Sequence, residues 1–218
     1  MAEWRAMDRV RDLDVPRTLE EACDPERVAL LLYDMQVGIL GQIDGAEQVV
    51  ARASVALEAA RAAGVRTVFV RHVTVPARLM GAGQHRMWRA WQGLDSAADV
   101  RSAFPPGEAH VQIVEELAPN EDEAVFDKVT MSAFESTPLH LILRDCGVTA
   151  VAVLGVALEI GVEPTLRHAA DLGYVPILLA DASGAGDAAA GRRTLETLAF
   201  LGDTMVTDAA SFAAALER

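Results

Sequence analysis

The chain has 218 residues, 51% of them hydrophobic, and a formal net charge of −13. That apolar content supports a buried core and excludes a disordered chain. So acidic a molecule repels phosphate backbones and anionic lipid, so the expectation is no nucleic-acid partner and no membrane partner. The longest apolar runs are strand-sized and none approaches the ~20 residues of a membrane span. The N-terminal stretch MAEWRAMDRVRDLD is charged and lacks the apolar region of a signal peptide. Two cysteines, Cys23 and Cys146, make no disulfide framework. Together these features predict a cytoplasmic protein with free thiols.

In chain order, RVALLLYD (27–34) reads as a fully buried strand. The next segment, 46–64, places Val49, Ala53, Ala56, Leu57, Ala60 and Ala63 on one helical face, with Gly64 as its stop. VRTVFVRH (65–72) is a second strand, EAVFDK (123–128) a third, and TAVAVLG (149–155) a fourth. Between the last two, STPLHLILRDCG (136–147) reads as a short helix with Ser136 or Thr137 as cap and Gly147 as stop. VEPTLRHAADLG (162–173) is a helix, YVPILLAD (174–181) a strand, and AAAGRRTLETLAFLG (188–202) a helix. TMVTD (204–208) is a last short strand before the terminal helix SFAAALER. Buried strands alternating with helices imply right-handed crossovers and a parallel sheet covered on both faces. The expectation is therefore one α/β domain over 1–218. Residues 73–122 break the rhythm with Pro76, Pro105, Pro106 and a Met/Trp-rich helical piece, QHRMWRAWQG. An insertion of that length reads as a lid or an interface element.

Ligands of open parallel sheets bind beyond the C-terminal ends of the strands. Asp34 and Lys128 both sit where strongly apolar strands end, and the 149–155 strand runs through GVALEIG into a helix whose first turn holds Gly161. An acid, a base and a helix N-terminus therefore meet at one edge. A buried acid–base pair perturbs both pKa values, which marks a candidate active site.

The stretches LLLYDMQ, FDKVTMSAFESTPL, AVLGVALEIGVEPTLRHAADLGY and ILLADASG, in this order and spacing, resemble the isochorismatase-like cysteine hydrolase superfamily over about residues 25–212. The resemblance implies a Rossmann-like three-layer α/β/α sandwich with a six-stranded, mostly parallel sheet, and a homodimer or homotetramer. It implies hydrolysis of a small-molecule substrate, no cofactor, and an Asp-Lys-Cys triad acting on C–N bonds. The Asp carries over to Asp34 and the Lys to Lys128, with a cis peptide at Val156–Ala157. The nucleophilic Cys falls on Gly161. The true isochorismatases, which also lack the Cys, have Ile-Gly here and cleave a vinyl ether by protonation, for which a carboxylic acid suffices. The EIG of this chain resembles them, and the backbone N–H at the helix start remains as a polar cradle. The arginine that receives a carboxylate in those enzymes is replaced by Thr130, and their Tyr by Ala157; Arg71, Arg78, Arg86 and Arg89 are left as candidates for that task.

Other residues compete for roles. Glu159 and Glu163 flank Gly161, and either is a candidate base to activate water for C–N cleavage; the competing readings are a local turn for Glu159 and a helix-dipole contact for Glu163. Gln36, His72, Trp88, Phe134 and Ala157 are expected to touch substrate, with a solvated loop amide as the rival reading for Gln36. His168 reads as a packing or surface residue. Cys146 is carried ~13 Å from the active edge along its helix and is expected to be a core thiol, and Cys23 lies at the wrong end. The spacing needed for a metal site is missing, so the expectation is metal: none. The reading is a hydrolase without a covalent Cys in which Asp34 and Lys128 act by acid–base catalysis. C–N cleavage by a Glu-activated water and a non-catalytic binding protein remain the alternatives.

Overall fold

The computed structural model describes residues 8–217; the first seven residues of the charged N-terminal stretch, and Arg218 at the end of the expected last helix, lie outside them. The described chain opens with an antiparallel hairpin, β1 (Asp8–Val10) and β2 (Leu13–Val15), then helix α1 (Leu19–Ala22). Then come β3 (Val28–Tyr33), α2 (Val37–Leu40), α3 (Ala46–Ala62), β4 (Arg66–His72) and α4 (Ala82–Trp91). They are followed by β5 (Ala124–Lys128), α5 (Leu139–Asp145), β6 (Ala150–Val156), α6 (Glu163–Asp171) and β7 (Val175–Gly184). The chain finishes with α7 (Ala188–Leu201), β8 (Met205–Thr207) and α8 (Ala209–Leu216).

Strands β3 to β8 form a six-stranded sheet in the order β5-β4-β3-β6-β7-β8, every neighbouring pair parallel. The period-two alternation of a strand sorts the core into two layers. Leu30 and Leu32 of β3 pack with Ala53 and Leu57 of α3 and Phe212 of α8. Ala29, Leu31 and Tyr33 face the other way, toward Leu139 and Leu143 of α5, Leu166 of α6 and Leu198 of α7. Burying each such leucine or phenylalanine contributes about 1.5–3 kcal/mol. The central strands β3 and β6 are buried along their whole length, which is why they read as unbroken apolar runs. The expected face of α3 is buried as read, with Ala63 packed at its margin. Gly64 takes φ +72 to end the helix, with Val65 N–H donating to Ala60 C=O at 2.9 Å.

Three local expectations need correction. Strand β7 runs three residues past Asp181, because a register shift opposite Val153–Gly155 lets Ser183 and Gly184 pair with Gly155 and Val156. Helix α5 starts only at Leu139: Ser136 sits at φ +65, and the Thr137 hydroxyl accepts from the Leu139 N–H. Cys146 is exposed rather than packed in the core. The chain turns out of α5 at Gly147, with Gly147 N–H bonded to Arg144 C=O and Val148 N–H to Leu143 C=O, and the buried Val148 takes the inward place. No helix among the described residues is long and apolar enough to cross a membrane.

Candidate active site

The sheet register brings the site together. His72 at the end of β4 lies opposite Lys128 at the end of β5, and Tyr33 at the end of β3 lies between Val70 and Gly155. Asp34 follows directly, held at φ +51. That left-handed conformation is uncommon for a residue with a side chain and collects at functional sites. Its N–H donates to Val70 C=O at 3.0 Å, so the backbone is fixed before the side chain is considered.

Lys128 Nζ donates to Asp34 Oδ2 at 2.8 Å, and both side chains are buried. Nζ also lies 4.1 Å from the Tyr33 ring centroid and donates to Thr130 C=O at 3.3 Å. Burial pushes the Asp34 carboxyl up to about 6, against the lowering pull of the Lys128 charge. Burial lowers the Lys128 pKa, and Asp34 partly restores it. Asp34 Oδ1 is buried with no hydrogen-bond partner among the described residues, and so is His72 Nε2. Burial, then the Lys128 charge, pushes His72 down to about 3, so its ring is neutral at physiological pH.

Above Asp34 opens a cavity of about 670 Å³, within the range of small-molecule sites. Asp34, His72, Trp88, Ala157, Glu159 and Gly161 all line it, so six of the sequence-derived candidates share one wall system. The 73–122 excursion supplies much of the rest. It has its own small core of Met80, Trp88 and Val100, and it presents Trp88, Trp91, Phe104 and His110 to the cavity.

Two expected contacts are placed elsewhere. Phe134 stacks on Tyr174 with centroids 5.7 Å apart and does not line the cavity. Its sequence position follows the Lys128 loop, but the loop turns it into the layer of α5 and α6. Gln36 is neither a pocket contact nor a solvated amide. It is fully buried; Nε2 donates to the carbonyls of His72 (3.0 Å) and Val111 (2.9 Å), and Oε1 accepts from the His72 N–H (2.6 Å). It clamps the strand end that carries His72 to the excursion.

The helix entrance also differs from expectation. After the cis Val156–Ala157 peptide the chain makes a π-turn, Leu158–Val162, before α6. The N–H groups of Ile160, Gly161 and Val162 all point at the Ala157 carbonyl, at 3.2, 3.0 and 3.3 Å. The expected backbone cradle is therefore already occupied from within. A Cβ built on Gly161 would overlap the hydroxyl and ring edge of Tyr33. Tyr33 is buried, its hydroxyl donates to the Met131 carbonyl, and burial, then Asp34, raises its pKa well above the usual range. Sequence reading missed Tyr33; the only signal was a large polar aromatic closing an otherwise aliphatic strand.

The glutamates separate. Glu163 pairs with Arg167 at 2.8 Å, accepts from Thr194 and stays out of the cavity lining. Glu159 lines the cavity, but its carboxylate accepts from the N–H groups of Gly186 (3.2 Å) and Asp187 (2.7 Å). The candidate arginines do not arrive: Arg71 is bound to Asp127 and Gln112, and no arginine or lysine among the described residues lines the cavity. Thr130 turns its hydroxyl into its own loop. His168 bonds Ser132 at 2.8 Å, a packing role. Among the described residues no group of three or more His, Cys, Asp or Glu side chains is gathered as a metal site.

Comparison with known proteins gives the same frame. The chain is 30% identical over 209 residues to a ureidoacrylate amidohydrolase RutB of Klebsiella pneumoniae, covering 88% of each. It is 31% identical over 212 residues to the RutB of Methylobacterium radiotolerans, covering 89% of this chain and 81% of that one. A cysteine hydrolase structure from Pseudomonas syringae pv. phaseolicola superposes with a TM-score of 0.75 at 27% identity, over 90% of this chain and 95% of that one. The Isochorismatase domain model matches residues 28–211, and with these relatives it shows that the chain belongs to the isochorismatase family of hydrolases.

Proposed function

We propose that the protein hydrolyses a C–N bond of a small molecule without a covalent enzyme intermediate, with Asp34 as the base that activates water. The observation that carries this reading is Asp34 itself: a buried carboxylate on the cavity floor, one oxygen held by Lys128 and the other without a partner. The curated relatives named as ureidoacrylate amidohydrolases favour C–N chemistry. In this reading Gly161 stands at the family's nucleophile position, where Tyr33 fills the volume a thiol would need. Tyr33 is no substitute nucleophile, because its hydroxyl is donated to Met131 and its pKa is held high.

The step balances with water alone. Asp34 takes a proton from water as the water oxygen attacks the carbonyl carbon, giving a tetrahedral oxyanion. His72, in its Nε2–H tautomer, donates to that oxyanion. The proton on Asp34 then passes to the leaving nitrogen as the C–N bond breaks. Lys128 keeps Asp34 in position and tilts it toward the ionised form. Glu159 and Glu163 are not needed as bases: both are engaged elsewhere.

A second reading is favoured by the raised Asp34 pKa. A protonated Asp34 would deliver a proton to the carbon of an enol ether, and the EIG sequence resembles enzymes that do so. Incubation of the protein and its Asp34→Asn variant with amides, ureas and enol ethers, read by mass spectrometry, tests both. C–N cleavage that disappears in Asp34→Asn supports the main reading, and ether cleavage supports the second. Undiminished turnover by Asp34→Asn sinks both.

A further inference from the structure

We infer that this cavity is built for a substrate whose distal group is positively charged and rests on the aromatic wall, and that it rejects substrates bearing a carboxylate. The inference rests on the cavity being the substrate site, and it deepens that reading by assigning the class of molecule.

Three observations carry it. First, the lining carries the carboxyl groups of Asp34, Glu159 and Asp187, the imidazoles of His72 and His110 and the phenol of Tyr33, with no lysine or arginine among the described lining residues. Lys128 stands behind Asp34 and is spent on it at 2.8 Å. A bound carboxylate would therefore meet like charge and no lysine or arginine, while a cation would meet the carboxylates of Glu159 and Asp187.

Second, part of the wall is aromatic. Trp88 and Trp91 stand edge to face with centroids 5.2 Å apart, and Phe104 and His72 close the corner at 6.1 Å from Trp88. Indole faces attract ammonium groups, most of all where water is excluded. Trp91 is half exposed for so large an apolar side chain, at 52%.

Third, the polar atoms that lack partners are His72 Nε2 and Asp34 Oδ1, both at least nine-tenths buried and both on residues of this cavity. A ligand whose reacting end reaches these two atoms would supply the partner each lacks, leaving its far end for the indoles and the carboxylates. His72 adds no positive charge, since its ring is neutral.

The test uses three ring amides that differ only in the distal group: 4-(aminomethyl)benzamide, 4-methylbenzamide and 4-carboxybenzamide. Their Kd values for the intact protein are measured by calorimetry, and turnover is followed separately. The expected order is cation tightest, neutral next, anion weakest, with a gap of about tenfold or more between the first and last. A Glu159→Gln/Asp187→Asn double variant should narrow that gap to about threefold, because the charge is lost while the glutamine side chain keeps one of the two backbone hydrogen bonds that Glu159 accepts and the asparagine side chain keeps an acceptor oxygen for the Ala190 N–H. Asn retains the cap of α7, so folding is checked by an unchanged melting temperature. Equal or tighter binding of the carboxylate compound overturns the inference, and so does a gap untouched by the double variant. Charge-ordered binding with no turnover of any probe or of the wider panel would sink the hydrolytic mechanism and leave the assignment of ligand class standing. Turnover confined to carboxylate substrates would do the reverse.

Discussion

The hydroxyl of Tyr33 lies in the volume that any side chain on residue 161 would occupy. The two residues come from different elements, the end of β3 and the π-turn before α6, and they exclude each other's bulk. A thiol cannot simply be restored here. Gly161→Cys and Gly161→Ala are expected to lower stability by about 1–3 kcal/mol through overpacking. In a Tyr33→Val background the same Cys should be neutral or stabilising, a coupling of about 0.5–3 kcal/mol in a double-mutant cycle followed by thermal denaturation. Additive effects would mean that Tyr33 does not fill that space.

The pH dependence follows from Asp34. With its pKa at about 6 in the folded protein, a base role requires kcat/KM to rise with pH and level off above about 6. Proton donation to an enol ether would give the opposite limb, falling above the same value. A rate profile across about pH 4.5–7.5, roughly one and a half units either side of that value, separates the two.

Lys128 should matter to folding as well as to rate. Lys128→Met removes one partner of a buried pair, a loss that costs about 3–5 kcal/mol when the remaining charge stays uncompensated. Asp34 can escape that cost by protonating. Without Lys128 its folded pKa rises further above the unfolded value near 3.8. Stability from a raised carboxyl pKa is fully present below the unfolded pKa and is lost as pH rises through the folded one. The variant should therefore lie nearest the parent in melting temperature at pH 4 to 5, roughly the unfolded carboxyl value, and fall away toward neutral pH. A deficit independent of pH would contradict the pairing.

Gln36 is expected to behave as a structural clamp that acts on activity through His72. Gln36→Leu orphans the His72 N–H and two carbonyls inside the protein, at about 1–3 kcal/mol for each group left unsatisfied. Hydrogen exchange should show the His72 amide losing protection in the variant, whereas a substrate contact would change KM and leave that amide alone.

The thiols differ in reach. In the native protein a thiol reagent at mild pH should modify Cys146 alone, and Cys23 should follow only on unfolding. Cys23 is buried, and burial, then Glu20, holds its pKa up to about 12. Peptide mapping after labelling reads this directly.

How far the sequence reached can be seen strand by strand. Runs such as VALLLY and AVAVLGV are apolar because both faces of their strands are covered, so composition alone marked the centre of the sheet. Edge-strand and helix-end details were less legible. The exposed hairpin β1–β2 has no buried face to create a pattern, and Cys146 kept the helical spacing of a core residue although Gly147 turns the chain away first.

The same division holds at the site. By itself the sequence determined that an acid and a lysine stand at strand ends on one edge of the sheet and that a glycine lies just ahead of the helix after β6, because strand ends in a parallel sheet share one edge. Only the tertiary structure decided which side chains meet. It joined Asp34 to Lys128, turned Phe134 and Gln36 away from the cavity, closed the backbone cradle on Ala157, and set Tyr33 against Gly161. Those outcomes depend on register, on the π-turn and on the path of the 73–122 excursion. Register and the excursion bring together residues distant in the chain, and spacing along a sequence carries no record of such distances; the π-turn is local, but Tyr33, which it packs against, lies far away in the chain.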